Sequence, residues 1–313
     1  MRDVQNRLPI EVAYMESLRD GGSGCANGKV VALSHHTTQW AQMAYRLYMP
    51  YYPFGDVTNV MAWHGEDHVP EPFVWWLFEA LVEAALCMEQ GDLNAAVADW
   101  EAIVHRDIKP QNIMLGQPRP GTFQAYPEPK LGDFGLAVVI PENDPLNPKA
   151  YNNDVGTHGY QAPEQLQYLD SQTADLVDEV PLNSSTNVWG LGITLLSVMN
   201  NDIPPRLAFE DINRSMPRWQ DAALYYSPEL RNLVMRCVAF RQADRPTLGN
   251  LRLEIGARSS TAAPPGVDLA QGMRTFVPVN LDDDFDHKLR LDADEYPLGL
   301  ALAQEVLDRR GVL

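Results

Sequence analysis

Four side chains in the middle of the chain have the types and spacing for phosphate chemistry. Asp107, Lys109 and Asn112 share one short stretch, and Asp133 follows after a strand-forming interval. Moving a phosphoryl group to a hydroxyl asks a protein for little covalent chemistry. It asks for positioning and for positive charge on the phosphates. Asp107 is the candidate base or orienting group for the attacking hydroxyl, and Lys109, two residues on, reaches the transferred phosphate. Asn112 and Asp133 are oxygen ligands of the kind magnesium takes together with a substrate's own phosphates. Gly135 permits the sharp backbone turn that aims Asp133 into a cleft.

These groups need elements to hold them. Ile113 to Leu115 and Pro129 to Leu131 read as a short strand pair, joined by a Pro-rich loop over 116–128. Upstream, residues 9–18 have apolar residues spaced for one helical face, and the Gly21–Gly24 cluster ends that helix. Val30 to Leu33 and Ala44 to Met49 read as strands, and Phe73 to Met88 as a long helix with a further helical stretch to Trp100. From Asp133 to Glu164 there is no periodicity, only turn residues and prolines. Helices follow around Val188 to Met199 and over Pro228 to Arg241. Beyond Gly256 the composition changes: Ser259 to Gly266 reads as a linker, Asp282 to Asp286 as an acidic solvated run, and Pro297 to Arg310 as a terminal helix.

Composition excludes several classes. With 45% hydrophobic residues, the chain has enough apolar material for a real core. A formal net charge of -18 argues against nucleic-acid and anionic-membrane partners, which need basic surfaces. The three cysteines, Cys25, Cys87 and Cys237, are widely spaced and odd in number, so neither a disulfide framework nor a zinc site is expected. The greasy stretch from Phe73 to Met88 carries Glu79 and Glu83 on one face, which describes a buried amphipathic helix rather than a span. With no signal peptide read at the N-terminus, an intracellular protein, cytoplasmic or nuclear, is expected.

Three motifs occur in order: His105-Arg106-Asp107-Ile108-Lys109-Pro110-Gln111-Asn112, then Asp133-Phe134-Gly135, then Gly156-Thr157-His158-Gly159-Tyr160-Gln161-Ala162-Pro163-Glu164. Each tripeptide alone is common, but the ordered set is specific. On these motifs the chain resembles the eukaryotic protein kinase family, over about residues 9–256. The resemblance implies an α+β fold, with a mostly helical C-terminal lobe and a truncated small N-terminal lobe. It divides the chain into a partial small lobe (1–48), a hinge (49–56), a large lobe (57–256) and a tail (257–313). It implies ATP and Mg2+ as cofactors, protein substrates, and transfer of the ATP γ-phosphate to Ser or Thr hydroxyls. Lys109 favours the serine/threonine branch.

The resemblance also assigns places. Met49 stands at the gatekeeper position, and the backbone from Pro50 through Tyr51 to Tyr52 is placed to meet adenine. Because Pro50 has no N–H, Tyr52 is the expected donor. Asp56 is placed to approach the ribose, and Met114 to lie beneath adenine. Thr157 resembles the hydroxyl that bridges Asp107 and Lys109. Glu164 and Arg245 resemble the buried ion pair that anchors the activation segment. Met15, His105 and Phe134 resemble members of the apolar spine linking the lobes, which makes His105 structural rather than a proton carrier.

Three departures from the family pattern stand out. Glu11 resembles the helix glutamate, yet no lysine-bearing strand and no Gly-rich loop lies upstream of it, so Glu11 is expected to be an ordinary carboxylate. The three strands that cover ATP are missing from this reading, and a binding module without turnover, or a truncated kinase, is the alternative function. Asn187 stands where the family has an aspartate, and losing a charge and half the acceptors is expected to weaken that anchor. Asn153 occupies the usual phosphosite, so Asp154 or an acidic neighbour is expected to pair with Arg106 without phosphorylation.

Overall fold

The computed structural model describes residues 9–21, 25, 28–39, 44–64, 68–118, 126–141, 147, 155–166, 180–203 and 225–259, the side chains of the last helix through 256. Asn153, Asp154 and the proposed terminal helix lie outside the described residues, so the expected Arg106–Asp154 pair does too.

The core is built on two helices whose sequences are apolar on nearly every side. Helix α3 (Glu71–Gln90) buries Phe73, Val74, Leu77, Phe78, Leu81 and more, and α4 (Ser184–Asn200) is buried almost along its whole length. Such all-round apolar helices must sit inside the domain. They pack on each other, and α3 also packs on α6 (Leu248–Ser259) while α4 packs on α5 (Pro228–Cys237). Pro72 sits in the first turn of α3, where its missing N–H has no intrahelical role. Gly91, in the left-handed conformation at φ +79, closes the other end by donating to the Cys87 carbonyl. The expected helical continuation to Trp100 therefore does not form; residues 91–100 are turns and irregular backbone.

Among the described residues there are three antiparallel two-stranded ribbons. The first pairs β1 (His35–Gln39) with β2 (Ala44–Tyr48), with His35 opposite Tyr48. The second pairs β3 (Ala102–Val104) with β6 (Val138–Ile140), and the third β4 (Ile113–Gly116) with β5 (Glu128–Leu131). The first expected strand is displaced: Val30 to Leu33 forms only a single bridge, Val30 to Leu131, and the strand begins at His35. β6 was unexpected, because three residues are too few to display a period of two.

Helix α1 (Ile10–Asp20) buries Val12, Met15 and Leu18, and the loop after it is tied to the large lobe several times over. Val31 donates to the Leu131 carbonyl at 2.8 Å, and Lys130 Nζ donates to the Gly28 carbonyl at 2.6 Å. Lys29 forms an ion pair with Glu83 of α3. Cys25 and Cys87 are joined as a disulfide, with Cα atoms 5.6 Å apart. This corrects the cysteine reading: a sequence separation of 62 conceals that the loop after α1 folds onto the end of α3. Cys237 remains free and buried, and burial pushes its thiol up to about 12. Among the described residues, no helix is long and apolar enough to cross a membrane.

Candidate active site

The catalytic stretch runs from the end of β3 into the short 3-10 turn Pro110–Asn112 and on into β4. Its backbone is held by side chains from elsewhere in the large lobe. Thr194 of α4 donates its hydroxyl to the Ile108 carbonyl at 3.0 Å. Asn187 of the same helix accepts from the His105 N–H at 2.9 Å and donates to the Ile103 carbonyl at 2.8 Å. The second of these bonds uses the amide donor, which a count of acceptors leaves out. An aspartate has no N–H to give Ile103, whereas the amide serves both ends. Gln165 adds a strut that the sequence did not signal: its side-chain N–H groups reach the Arg106 and Val155 carbonyls, both at 3.0 Å. Gly156, at φ +122, allows this approach, since a Cβ there would meet the Arg106 carbonyl oxygen at 2.5 Å.

Three of the four groups first singled out, Asp107, Lys109 and Asn112, are bonded together here, with Thr157. Lys109 Nζ donates to Asp107 Oδ2 and to Thr157 Oγ1, each at 2.7 Å. The Thr157 backbone N–H donates to Asp107 Oδ1 at 2.8 Å. Asn112 Nδ2 donates to the Asp107 carbonyl at 2.8 Å and to its carboxylate at 3.1 Å. With the amide nitrogen engaged, the Asn112 oxygen is the end suited to a cation. Burial alone would raise the Asp107 pKa, but Lys109 and Thr157 outweigh it and hold the carboxyl below its ordinary value. Asp107 is thus an ionised, weakly basic oxygen pair, suited to orienting a hydroxyl and taking its proton late.

Asp133 lies exposed at the mouth of the site, in the left-handed region at φ +61. It caps the turn Phe134–Leu136 by accepting the Gly135 N–H at 3.4 Å. The left-handed residue of this turn is Asp133 rather than Gly135. Gly135 instead leaves room, because a Cβ there would stand 3.3 Å from Asp133 Oδ1.

His105 connects the two functional segments. It is fully buried, and burial lowers its pKa, so the ring is neutral. Its Nε2 lies 3.0 Å from the Gly132 carbonyl, and the Asp107 N–H donates to its Nδ1 at 3.3 Å. These partners assign the proton to Nε2. One imidazole thereby ties the residue before Asp133 to the backbone of Asp107. Its ring also packs on Phe134, with centroids 4.9 Å apart, in the same buried cluster as Met15.

Glu164 and Arg245 form a buried bidentate pair at 2.6 and 2.9 Å. Arg245 also donates to the carbonyls of Ala239, Phe240 and Ser185 and lies over the Trp189 ring at 5.1 Å. Burial would raise the Glu164 pKa, but Arg245 reverses this and the carboxyl is held below its ordinary value.

The positions expected beside adenine are placed less tightly. Met49 and Tyr51 are exposed; Met114, in β4, is partly buried and bridges to Asp56 across an isolated pair. Tyr52 accepts the Gly55 N–H in a turn, and its hydroxyl accepts the Ala32 N–H at 3.4 Å. Asp56, expected at the ribose, caps α2 (Val57–His64) by accepting the Thr58 N–H at 2.8 Å. Glu11 is not the free carboxylate that was expected. It accepts from the Tyr45 hydroxyl at 3.0 Å, and burial, with Asp133 nearby, raises its pKa despite that bond. Arg106, at φ +66, donates from Nε to the Leu136 carbonyl at 2.6 Å.

A mostly helical body thus carries a lysine-bridged aspartate, an asparagine and a turn aspartate. Residues 98–253 match the family model of the protein kinase domain, and the chain belongs to the protein kinase family. It is similar to the probable serine/threonine-protein kinase iksA of Dictyostelium discoideum, 27% identical over 65% of this chain and 22% of that protein. It is similar to the protein kinase nimA of Emericella nidulans, 26% identical over 79% of this chain and 34% of that protein. A calcium/calmodulin-dependent protein kinase type II of Caenorhabditis elegans is 29% identical over 38% of this chain and 14% of its own length. The chain therefore spans about a third or less of the length of these relatives.

Proposed function

We propose that the chain transfers the γ-phosphate of Mg·ATP to a Ser or Thr hydroxyl of a protein substrate. The observation that carries this reading is the closed triangle of Asp107, Lys109 and Thr157, with every contact at 2.7 or 2.8 Å. In it, Asp107 orients the incoming hydroxyl and accepts its proton as the O–P bond forms. Lys109 shields the phosphoryl oxygens, and Thr157 keeps the lysine and the aspartate in register. Asn112 and Asp133 supply the amide and carboxylate oxygens that fit magnesium. When bound, that ion neutralises the developing phosphate charge. Met49, Tyr51, Tyr52 and Met114 line the adenine side, and Asp56 reaches the ribose through the carboxylate oxygen not used in capping.

In this reading residues 1–48 belong to the small lobe, 49–56 form the hinge, 57–256 the large lobe and 257–313 a tail. Use of Mg·ATP and protein substrates would suit a protein inside the cell, in cytoplasm or nucleus.

One observation favours a second reading, a binding module of kinase lineage with little turnover. Among the described residues, Glu11 is held by a neutral phenol, Tyr45, rather than by a cation that would also grip ATP phosphates. The discriminating assay is phosphotransfer from labelled ATP to Ser/Thr peptides, with Asp107→Asn as control. The kinase reading expects transfer that falls about 10²–10⁴-fold in the variant. Equal signals from both proteins, or none from either, would favour the module.

A further inference from the structure

Helix α1 places Glu11, Tyr14, Met15 and Leu18 at the spacing of one helical face. That face meets the turn Phe134–Leu136. Met15 and Leu18 contribute burial, and Glu11 is held by Tyr45. Tyr14 makes the polar contact to the far strand: its hydroxyl accepts the Val139 N–H at 3.2 Å.

Val139 stands opposite Ile103 in the β3–β6 ribbon, but this N–H is directed to Tyr14. A strand N–H against a packed helix needs an acceptor, and α1 supplies it through a side chain. On the stretch just before, Arg106 holds the Leu136 carbonyl at 2.6 Å. The backbone from Leu136 to Val139 is thus gripped at both ends, by the catalytic loop and by α1. Three residues upstream is Asp133, whose left-handed turn has one long bond of its own, from Gly135 N–H at 3.4 Å. That turn needs outside support, since a non-glycine residue at positive φ is held there by its surroundings.

We propose that Tyr14 is a positioning residue for Asp133: by fixing β6 it sets the turn that aims the Asp133 carboxylate. The role of the Asp133 oxygens as metal ligands rests on the kinase reading, whereas the coupling of Tyr14 to the turn does not. Helix α1 would then act on the metal site through a tyrosine hydroxyl two turns before its end, independently of any lysine partner for Glu11.

The test is Tyr14→Phe in the full chain, which keeps the ring and removes only the hydroxyl. Amide hydrogen exchange resolved by NMR at Val139 and Gly135 reads the two ends of the coupling. Electron paramagnetic resonance of Mn2+ with ATP reads the site. A thermal melt close to that of the unsubstituted chain establishes that the variant folds. Exchange at both amides is expected to speed up about threefold to tenfold, the range for one lost hydrogen bond. The Mn·ATP dissociation constant is expected to rise by a similar factor, and KM for Mg·ATP to change more than kcat. Faster exchange at Val139 with Gly135 unchanged would reduce Tyr14 to a local contact and overturn the proposal, as would no change at either. If the unsubstituted chain binds no Mn·ATP, the kinase reading fails, and the Gly135 amide still decides whether Tyr14 sets the turn.

Discussion

Two carboxylates anchor the two halves of this molecule, and they are held in opposite ways. Glu164 in the large lobe is buried against Arg245, with two charge-assisted bonds, and its pKa is pulled down in spite of burial. Glu11 on α1 is half-buried against the phenol of Tyr45, with Asp133 nearby, and its pKa is pushed up. The first is an ion pair whose members satisfy each other; the second is an acid hydrogen-bonded to a neutral phenol. The carboxylate of the lower half is therefore fixed by charge. The upper half is tied down by the Cys25–Cys87 bond, the Tyr14–Val139 bond, the apolar face of α1 and the Lys29–Glu83 ion pair, while its own carboxylate is held by a neutral phenol.

Breaking the charged anchor should have the largest effect. Arg245→Met leaves Glu164 buried without its partner and should cost about 3–5 kcal/mol in urea denaturation. A loss under about 1 kcal/mol would mean that the neighbouring carbonyls and Trp189 carry that corner instead. Next comes the covalent tether. Cys25→Ser, or treatment with a dithiol reductant, should cost about 2–4 kcal/mol, given the long loop it closes. Cys237→Ala, also small and buried but unbonded, is the control, and reductant should leave its relative effect unchanged. A melt insensitive to reductant would remove the disulfide from the account.

The smallest effect separates the two carboxylates by pH. Glu164 and Asp107 have lowered folded pKa values, so their stabilisation is full above the unfolded values of about 4 and is lost as pH falls below them. Glu11 has a raised folded pKa, so the folded state takes up a proton there. Its contribution is most favourable below the unfolded value and declines as pH rises through the folded one. Glu11→Gln should flatten that decline, and Glu164→Gln should flatten the acid-side loss while lowering stability at neutral pH. Midpoints of urea denaturation between about pH 3 and 7 would show it. Parallel curves for both variants would erase the contrast between the halves.

The lower half was largely legible in the sequence because its chemistry sits in contiguous motifs. His105 to Asn112 is one loop, and the Ile113–Leu115 and Pro129–Leu131 strands appear where the apolar runs place them. What stayed hidden depends on contacts between distant segments. Cys25 and Cys87 meet only because the loop after α1 folds onto α3. Asp133, rather than Gly135, takes the left-handed turn because the surrounding backbone holds it there. Asn187 was judged by the acceptors it lacks, and the carbonyl of Ile103 that uses its donor could not be read from the chain. Tyr14 and Gln165 carry no motif; they matter through backbone groups the fold brings to them, the Val139 N–H for Tyr14 and the Arg106 and Val155 carbonyls for Gln165.

The contrast between the two halves has its most direct test in nucleotide binding. Calorimetric titration of the full chain with ATP, with and without Mg2+, should be run alongside Asp133→Asn. The account predicts binding that requires Mg2+ and weakens at least tenfold in the variant. ATP binding indifferent to both Mg2+ and Asp133, or no binding at all, would contradict it.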